Sequence, residues 1–180
     1  MQPDSTPPPG PREILVTPRL ALRATVAADI APLHERVFAD AQVIRFAFSG
    51  RQLSREETDR FVRERFNFAG ADIGFSTLVE RGSGEVIGFS GLSPCHALGR
   101  AELELGFVLA KAAWGKGYAT EIGRAQVEFA FGHLRRSMLL GLADPANTPS
   151  IRVLLKLGMH PCADGVLQGR GPRQVYCLEA

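Results

Sequence analysis

At Ala113-Trp114-Gly115-Lys116-Gly117-Tyr118-Ala119-Thr120-Glu121, two glycines one residue apart join a strand-like run to a helix-like run. Upstream, the run 101–109 (AELELGFVL) alternates with period two and then becomes continuously apolar, as a strand does on entering a core. Downstream, the run 119–134 contains no proline, and Ala119, Ile122, Ala125, Val127, Phe129, Ala130 and Leu134 fall mostly on one helical face. The run 137–143 (SMLLGLA) then returns as a strand, so the order requires two parallel strands joined across a helix. Glycines let a backbone approach a ligand closely, and the first N–H groups of a helix lack intrahelical partners where the helix dipole favours anions. The junction therefore predicts a pyrophosphate ligand.

A chain of 180 residues with 45% hydrophobic content supports one domain with a substantial core rather than two. The formal charge of +2 and the scattered basic residues argue against a nucleic-acid partner. Between Arg51 and Arg65 the arginines are interleaved with Glu56, Glu57, Asp59 and Glu64, which fits a solvated helix face. Cys95, Cys162 and Cys177 are odd in number and lack C-x-x-C spacing, so they read as small apolar fillers rather than a disulfide framework or zinc site. His34, His96, His133 and His160 show no ligand spacing, and no metal is expected. No apolar run approaches the ~20 residues of a membrane span. The N-terminus, MQPDSTPPPGP, lacks a signal-peptide core, so the expected compartment is the cytoplasm, with no membrane partner. Its proline content makes residues 1–12 an expected disordered tail ahead of a domain over 13–180.

Along the rest of the chain, 14–22 (ILVTPRLAL) reads as a strand interrupted near Pro18. A helix over 30–39 follows, with Asp29 as its cap and Pro32 in its first turn. Ser54 and Glu57 make the capping-box spacing for a second helix. The runs 74–80 and 85–92 flank Arg81-Gly82-Ser83-Gly84 as a hairpin. After the strand at 137–143, a turn-rich loop leads to a short helix over 150–157, stopped by Gly158. Strands near 159–163 and 173–179 close the sheet, with Gly165, Gly169 and Gly171 supplying the turn between them.

WGKGYATE (114–121), followed about thirty residues later by DPANTPSIRVLLKLGM (144–159), resembles the acyl-CoA-binding half of the GNAT superfamily of N-acetyltransferases. The opening LVTPRLALRATVAADIAPL (15–33) resembles its RimJ/RimL branch, named for enzymes that acetylate protein N-termini. The resemblance implies an α+β (mixed α/β) fold: a single GNAT-like domain with a twisted mixed sheet of about seven strands and about four flanking helices. Its central parallel strands, 101–109 and 137–143, would splay apart and receive acetyl-CoA as co-substrate. In the pattern Q/R-x-x-G-x-G/A, Trp114 stands where glutamine or arginine is usual, while Gly117 and Ala119 match the small positions. Backbone N–H groups at Gly115, Lys116, Gly117, Ala119 and Thr120 would hold the phosphates. Asn147 and Ser150 match N-x-x-S, in which the asparagine contacts the pantetheine arm and the serine lies near the thioester sulfur. Arg152 and Lys156 could reach the adenosine phosphate, but also read as solvated surface.

An amine attacks a thioester only when neutral, and most amines are protonated at neutral pH, so a base or a desolvated site is needed. Glu102 and Glu104, on one side of their strand, are the candidates, with Glu104 at the position from which the family often relays the proton. A backbone N–H near Val108 or Leu109, at an expected bulge, would stabilise the oxyanion. Ser150 would donate to the departing thiolate. The expected reaction is direct N-acetylation of a primary amine, on a small molecule or a peptide N-terminus, by a monomer or homodimer; the acyl group could be acetyl or longer. The alternatives are an acyl-CoA-binding module without catalysis and a dinucleotide-binding domain; the second lacks a third glycine three residues after Gly117. The segments 45–50 and 65–74 are the expected acceptor walls, with Phe46, Phe48 and Phe68 either lining the pocket or filling the core.

Overall fold

The computed structural model describes residues 10–99, 101–167 and 171–180, with side chains omitted for 164–167. Thr17-Pro18-Arg19 does more than interrupt the first strand. It turns the chain back, so that β1 (Glu13–Val16) and β2 (Leu20–Arg23) pair antiparallel. The Thr17 hydroxyl closes this turn by accepting from the Leu20 N–H at 3.0 Å. That split raises the strand count to eight, where seven were expected. β3 (Ser76–Glu80), β4 (Val86–Cys95) and β5 (Glu102–Leu109) continue as an antiparallel meander, and β6 (Met138–Ala143), β8 (Gly171–Glu179) and β7 (His160–Leu167) complete the order β1-β2-β3-β4-β5-β6-β8-β7. Gly165 lies inside β7, not in the turn as expected, and Gly169 lies outside the described residues.

Among the described strands only β5 and β6 run parallel, and their register holds for two pairs, Glu104 with Leu140 and Leu105 with Gly141. Beyond them the strands part, as expected of splayed central strands. Gly141 permits this geometry to be tightly backed. A Cβ there would lie 2.6 Å from Leu154 Cδ2, so a side chain at 141 would require the Leu154 side chain of the following helix to shift away from β6.

Among the described residues five α-helices flank the sheet, where about four were expected. On one face, α1 (Ile30–Leu33, extended by a wide turn over His34–Phe38), α2 (Ala41–Ile44) and α3 (Arg55–Arg65) pack Leu33, Val37, Phe38, Ile44 and Val62 against Val79 and Phe89. Asp29 does not cap α1. Its carboxylate accepts from the Val26 N–H at 2.9 Å and pairs with Arg23 at 2.7 Å, while Ser54 caps α3 in the expected box. On the opposite face, α4 (Tyr118–Glu128) and α5 (Thr148–Lys156) cover Leu20, Leu22, Leu78, Leu105 and Leu139. The alternation of Leu78 with Val79, and of Val108 with Leu109, between these two cores is the period of two that a strand buried on both faces requires. Each such buried side chain contributes roughly 1.5–3 kcal/mol.

The cysteines correct the sequence reading. Cys162, the extra residue at a bulge in β7, and Cys177 of β8 form a disulfide, with Cα atoms 5.9 Å apart. Their separation of 15 residues matches no spacing rule because strand pairing, not local sequence, brings them together. Such a bond is rare where thiols are kept reduced, which sits uneasily with the expected cytoplasmic compartment. Cys95 is the buried filler expected, beside Leu140 and Val175. Among the described residues no helix is long and apolar enough to cross a membrane.

Candidate active site

The parting of β5 and β6 opens a cleft of about 880 Å³ that runs between the two helical layers. One wall is the turn into α4. Gly115 and Gly117 have φ of +74° and +79°, the left-handed backbone that glycine tolerates, and Gly117 occupies the N-cap without a side chain to close the helix end. The first intrahelical bond runs from Glu121 N to Gly117 O at 3.0 Å, so the N–H groups of Tyr118, Ala119 and Thr120 have no helical acceptor. Uncapped amides with the positive end of a helix dipole behind them suit an anion.

Arg19, whose role the sequence did not disclose, holds this turn in place. Its Nη1 donates to Lys116 O at 2.9 Å, its Nε donates to Glu121 Oε2 at 2.6 Å, and its guanidinium stacks 4.6 Å from the Tyr118 ring centre. Thr17 Oγ1 donates to the other oxygen of Glu121 at 2.6 Å. Burial pushes the Glu121 carboxyl up, but the bonds from Thr17 and Arg19 outweigh it and hold the group below its usual value. A carboxylate that would repel phosphate is thereby neutralised by Arg19. The Tyr118 hydroxyl donates to Glu80, and this bond raises the phenol's pKa.

Gly115, Gly117, Ala119 and Thr120 line the cleft, as do Glu104, Val108, Leu109, Trp114, Asn147 and Ser150. Lys116 does not; its Nζ turns to the Tyr118 ring at 5.8 Å. Trp114 is 46% exposed at the cleft edge, and its Nε1 donates to Leu109 O at 2.8 Å. Asn147 is the N-cap of α5, accepting from Ser150 N at 3.4 Å, which places Ser150 in the first turn as expected. Arg152 and Lys156 also line the cleft.

The two strand carboxylates separate. Glu104 is 8% exposed and lines the cleft at the point where β5 and β6 diverge, whereas Glu102 lies off its wall with Arg136 at 3.7 Å. No bulge interrupts β5 where one was expected: its register with β4 runs unbroken from Glu102 to Leu109. The bond from Ala110 N to Ile87 O fixes the alternation of that ladder. Even-numbered residues of β5, Val108 included, turn their peptide groups to β4, and Phe107 and Leu109 turn theirs toward the opening.

Phe46 and Phe48 line the cleft, joined by Phe75, Phe89 and Arg173, which sequence periodicity could not single out. Phe68 and the 65–74 segment stay off its wall, correcting that expectation. Among the described residues no three His, Cys, Asp or Glu side chains gather as metal ligands would.

Residues 19–160 match the family described as Acetyltransferase (GNAT) domain. The chain belongs to the GNAT acetyltransferase family. This acetyltransferase is 32% identical to protein YkkB of Bacillus subtilis over 81% of its own length and 84% of the relative's. It is 34% identical to N-acetyltransferase p20 of Bacillus licheniformis over 48% of its length and 47% of that protein's. Among solved structures, a GNAT-family acetyltransferase from Bacillus anthracis superposes with a TM-score of 0.76 at 21% identity, covering 92% of this chain and 97% of the other, a likeness of fold. The acetyltransferase is thus an acetyl-CoA-dependent acyltransferase by family.

Proposed function

We propose that this enzyme transfers the acetyl group of acetyl-CoA to a primary amine by direct attack within the 880 Å³ cleft. The observation that carries the reading is the meeting, on one cavity, of the uncapped amides of α4, the open end of β5 and the first turn of α5. The pyrophosphate lies on the N–H groups from Gly115 to Thr120, and the pantetheine arm runs between the parted strands toward Asn147. All of these groups come from one chain, so the chemistry needs no second copy.

Glu104 receives the proton of the incoming ammonium, directly or through water. Its burial at the apex of the opening keeps that exchange out of bulk solvent. The neutral amine adds to the thioester carbonyl, and the new oxyanion accepts from the peptide N–H of Phe107 or Leu109. Val108, expected to share this role, directs its N–H to β4 instead. When the tetrahedral intermediate collapses, the carbon–sulfur bond breaks and the surplus proton still on the former amine passes through Ser150 Oγ to the thiolate, so that CoA leaves as its thiol. No acyl-enzyme forms. The likeness of residues 15–33 to the RimJ/RimL branch adds support for N-acetylation.

The chain has a single tryptophan, Trp114, and it stands at the cleft edge. Titration with acetyl-CoA is expected to change its fluorescence. Ser150→Ala should lower kcat by about 10²-fold, the low end for a lost proton donor, while leaving that titration midpoint within a few-fold. An unchanged kcat would remove Ser150 from the mechanism, and a silent titration would remove the cofactor site.

A further inference from the structure

The cleft differs in chemistry between its two sides. Phe46, Phe48, Phe75 and Phe89 wall the part beside α1–α3, with Glu104 at its floor and Arg45 at its rim. Phe48 has φ of +49°, a backbone that residues with side chains rarely adopt. That conformation sets its ring 4.8 Å from Phe61, 6.0 Å from Phe75 and 6.0 Å from Phe89. The wall is therefore apolar and closely packed.

Its charges discriminate as well. The Arg45 guanidinium lies 4.9 Å over the Phe46 ring and has no acidic partner among the described residues. Asp144, the other carboxylate on the cleft besides Glu104 among the described residues, is paired with Arg173 at 3.4 Å. A polyamine or aminoglycoside could place one nitrogen at Glu104, but its remaining ammonium groups would meet phenyl rings and the Arg45 charge. Burying them there without partners is unfavourable. The face of Phe46, which could otherwise attract a cation, already carries Arg45.

Arg173 braces this side of the cleft. This side chain, 7% exposed, donates from Nη2 to Phe46 O at 3.3 Å and from Nη1 to Asp144 Oδ2 at 3.4 Å. It thereby ties the 45–50 loop to the ends of β6 and β8 across the cleft.

Resting on the acetyl-transfer reading above, we infer that the acceptor is a small monoamine with an aromatic or similarly bulky apolar body, selected by Phe48 and Arg45. The test is CoA release by the full chain with 2-phenylethylamine, tryptamine, spermidine, kanamycin and short peptides with unblocked N-termini. The arylalkylamines should exceed each of the others in kcat/KM by about tenfold or more, within the range a shaped apolar pocket supplies. Phe48→Ala should lower arylalkylamine kcat/KM about tenfold and leave the acetyl-CoA midpoint unchanged. Phe48→Leu, which keeps the core filled, should show a smaller loss in the same direction. Arg45→Glu, at an exposed site, should raise spermidine turnover. Preference for spermidine, kanamycin or peptides overturns the inference, as does acetyl-CoA binding without turnover of any arylalkylamine. In both cases the cofactor site stands, because Trp114 fluorescence reports it separately; failure of acetyl-CoA to bind would instead remove the underlying reading.

Discussion

Arg19 lies 97 positions before the Lys116 carbonyl that it holds, and no local pattern could have tied the two together. Gly115 and Gly117 were legible because positive φ leaves a mark in the sequence; a guanidinium reaching across a sheet does not. The same applies to Arg173, whose partners Phe46 and Asp144 come from distant segments. The placement of Asn147 as cap and Ser150 in the first turn of α5 was readable because both lie in one short turn. Arg19→Ala would loosen the turn into α4 and leave Glu121 unneutralised beside it. Steady-state kinetics should show KM for acetyl-CoA raised about tenfold, as expected for loss of a charge-assisted bond worth about 1.5 kcal/mol, with kcat little changed. A fall in kcat at constant KM would assign Arg19 to the chemistry instead.

Among the elements, the strands of the meander, the starts of α3 and α4, and the bounds of α5 lay close to expectation, since period and capping agree there. The splitting of the first strand, the wide turns at His34–Phe38 and Phe129–His133, and the Cys162 bulge depend on packing and strand pairing, so they were not legible. One tie between elements is titratable. Burial pushes the Asp29 carboxyl up, but Arg23, the Val26 N–H and Thr77 together hold it below the usual carboxylate value. Its folded value is therefore depressed, so its contribution is complete above the unfolded value and is lost as pH falls through the folded one. Asp29→Asn should cost about 3 kcal/mol at neutral pH, because Arg23 is left without its buried partner. Denaturant titrations of the variant should also lose less stability than the parent below pH 4 or so. An equal acid loss in both would show that this pair is silent.

For the molecule as a whole, ligand and stability are linked, because acetyl-CoA at 100 times its Kd should add about 2.7 kcal/mol. In a domain of this size that is an upward shift of about 5–10 °C in Tm, measurable by differential scanning fluorimetry. No shift at saturating ligand would contradict the cleft assignment. The overall architecture was readable because long-range order follows from the sequence of elements, whereas the phenylalanine wall was readable only in part: Phe46 and Phe48 of the 45–50 segment line the cleft, but Phe75, just before β3, and Phe89 of β4 also pack in the core and gave no local sign. The two residue pairs between β5 and β6 carry a mechanical consequence. The sheet behaves as two plates, β1–β5 and β6–β8, sharing a short seam, and a guest wedged above that seam acts as a mortar that stiffens both. Amide exchange at 106–109 and 142–143 should therefore slow when the guest enters, while the outer strands keep their own pace.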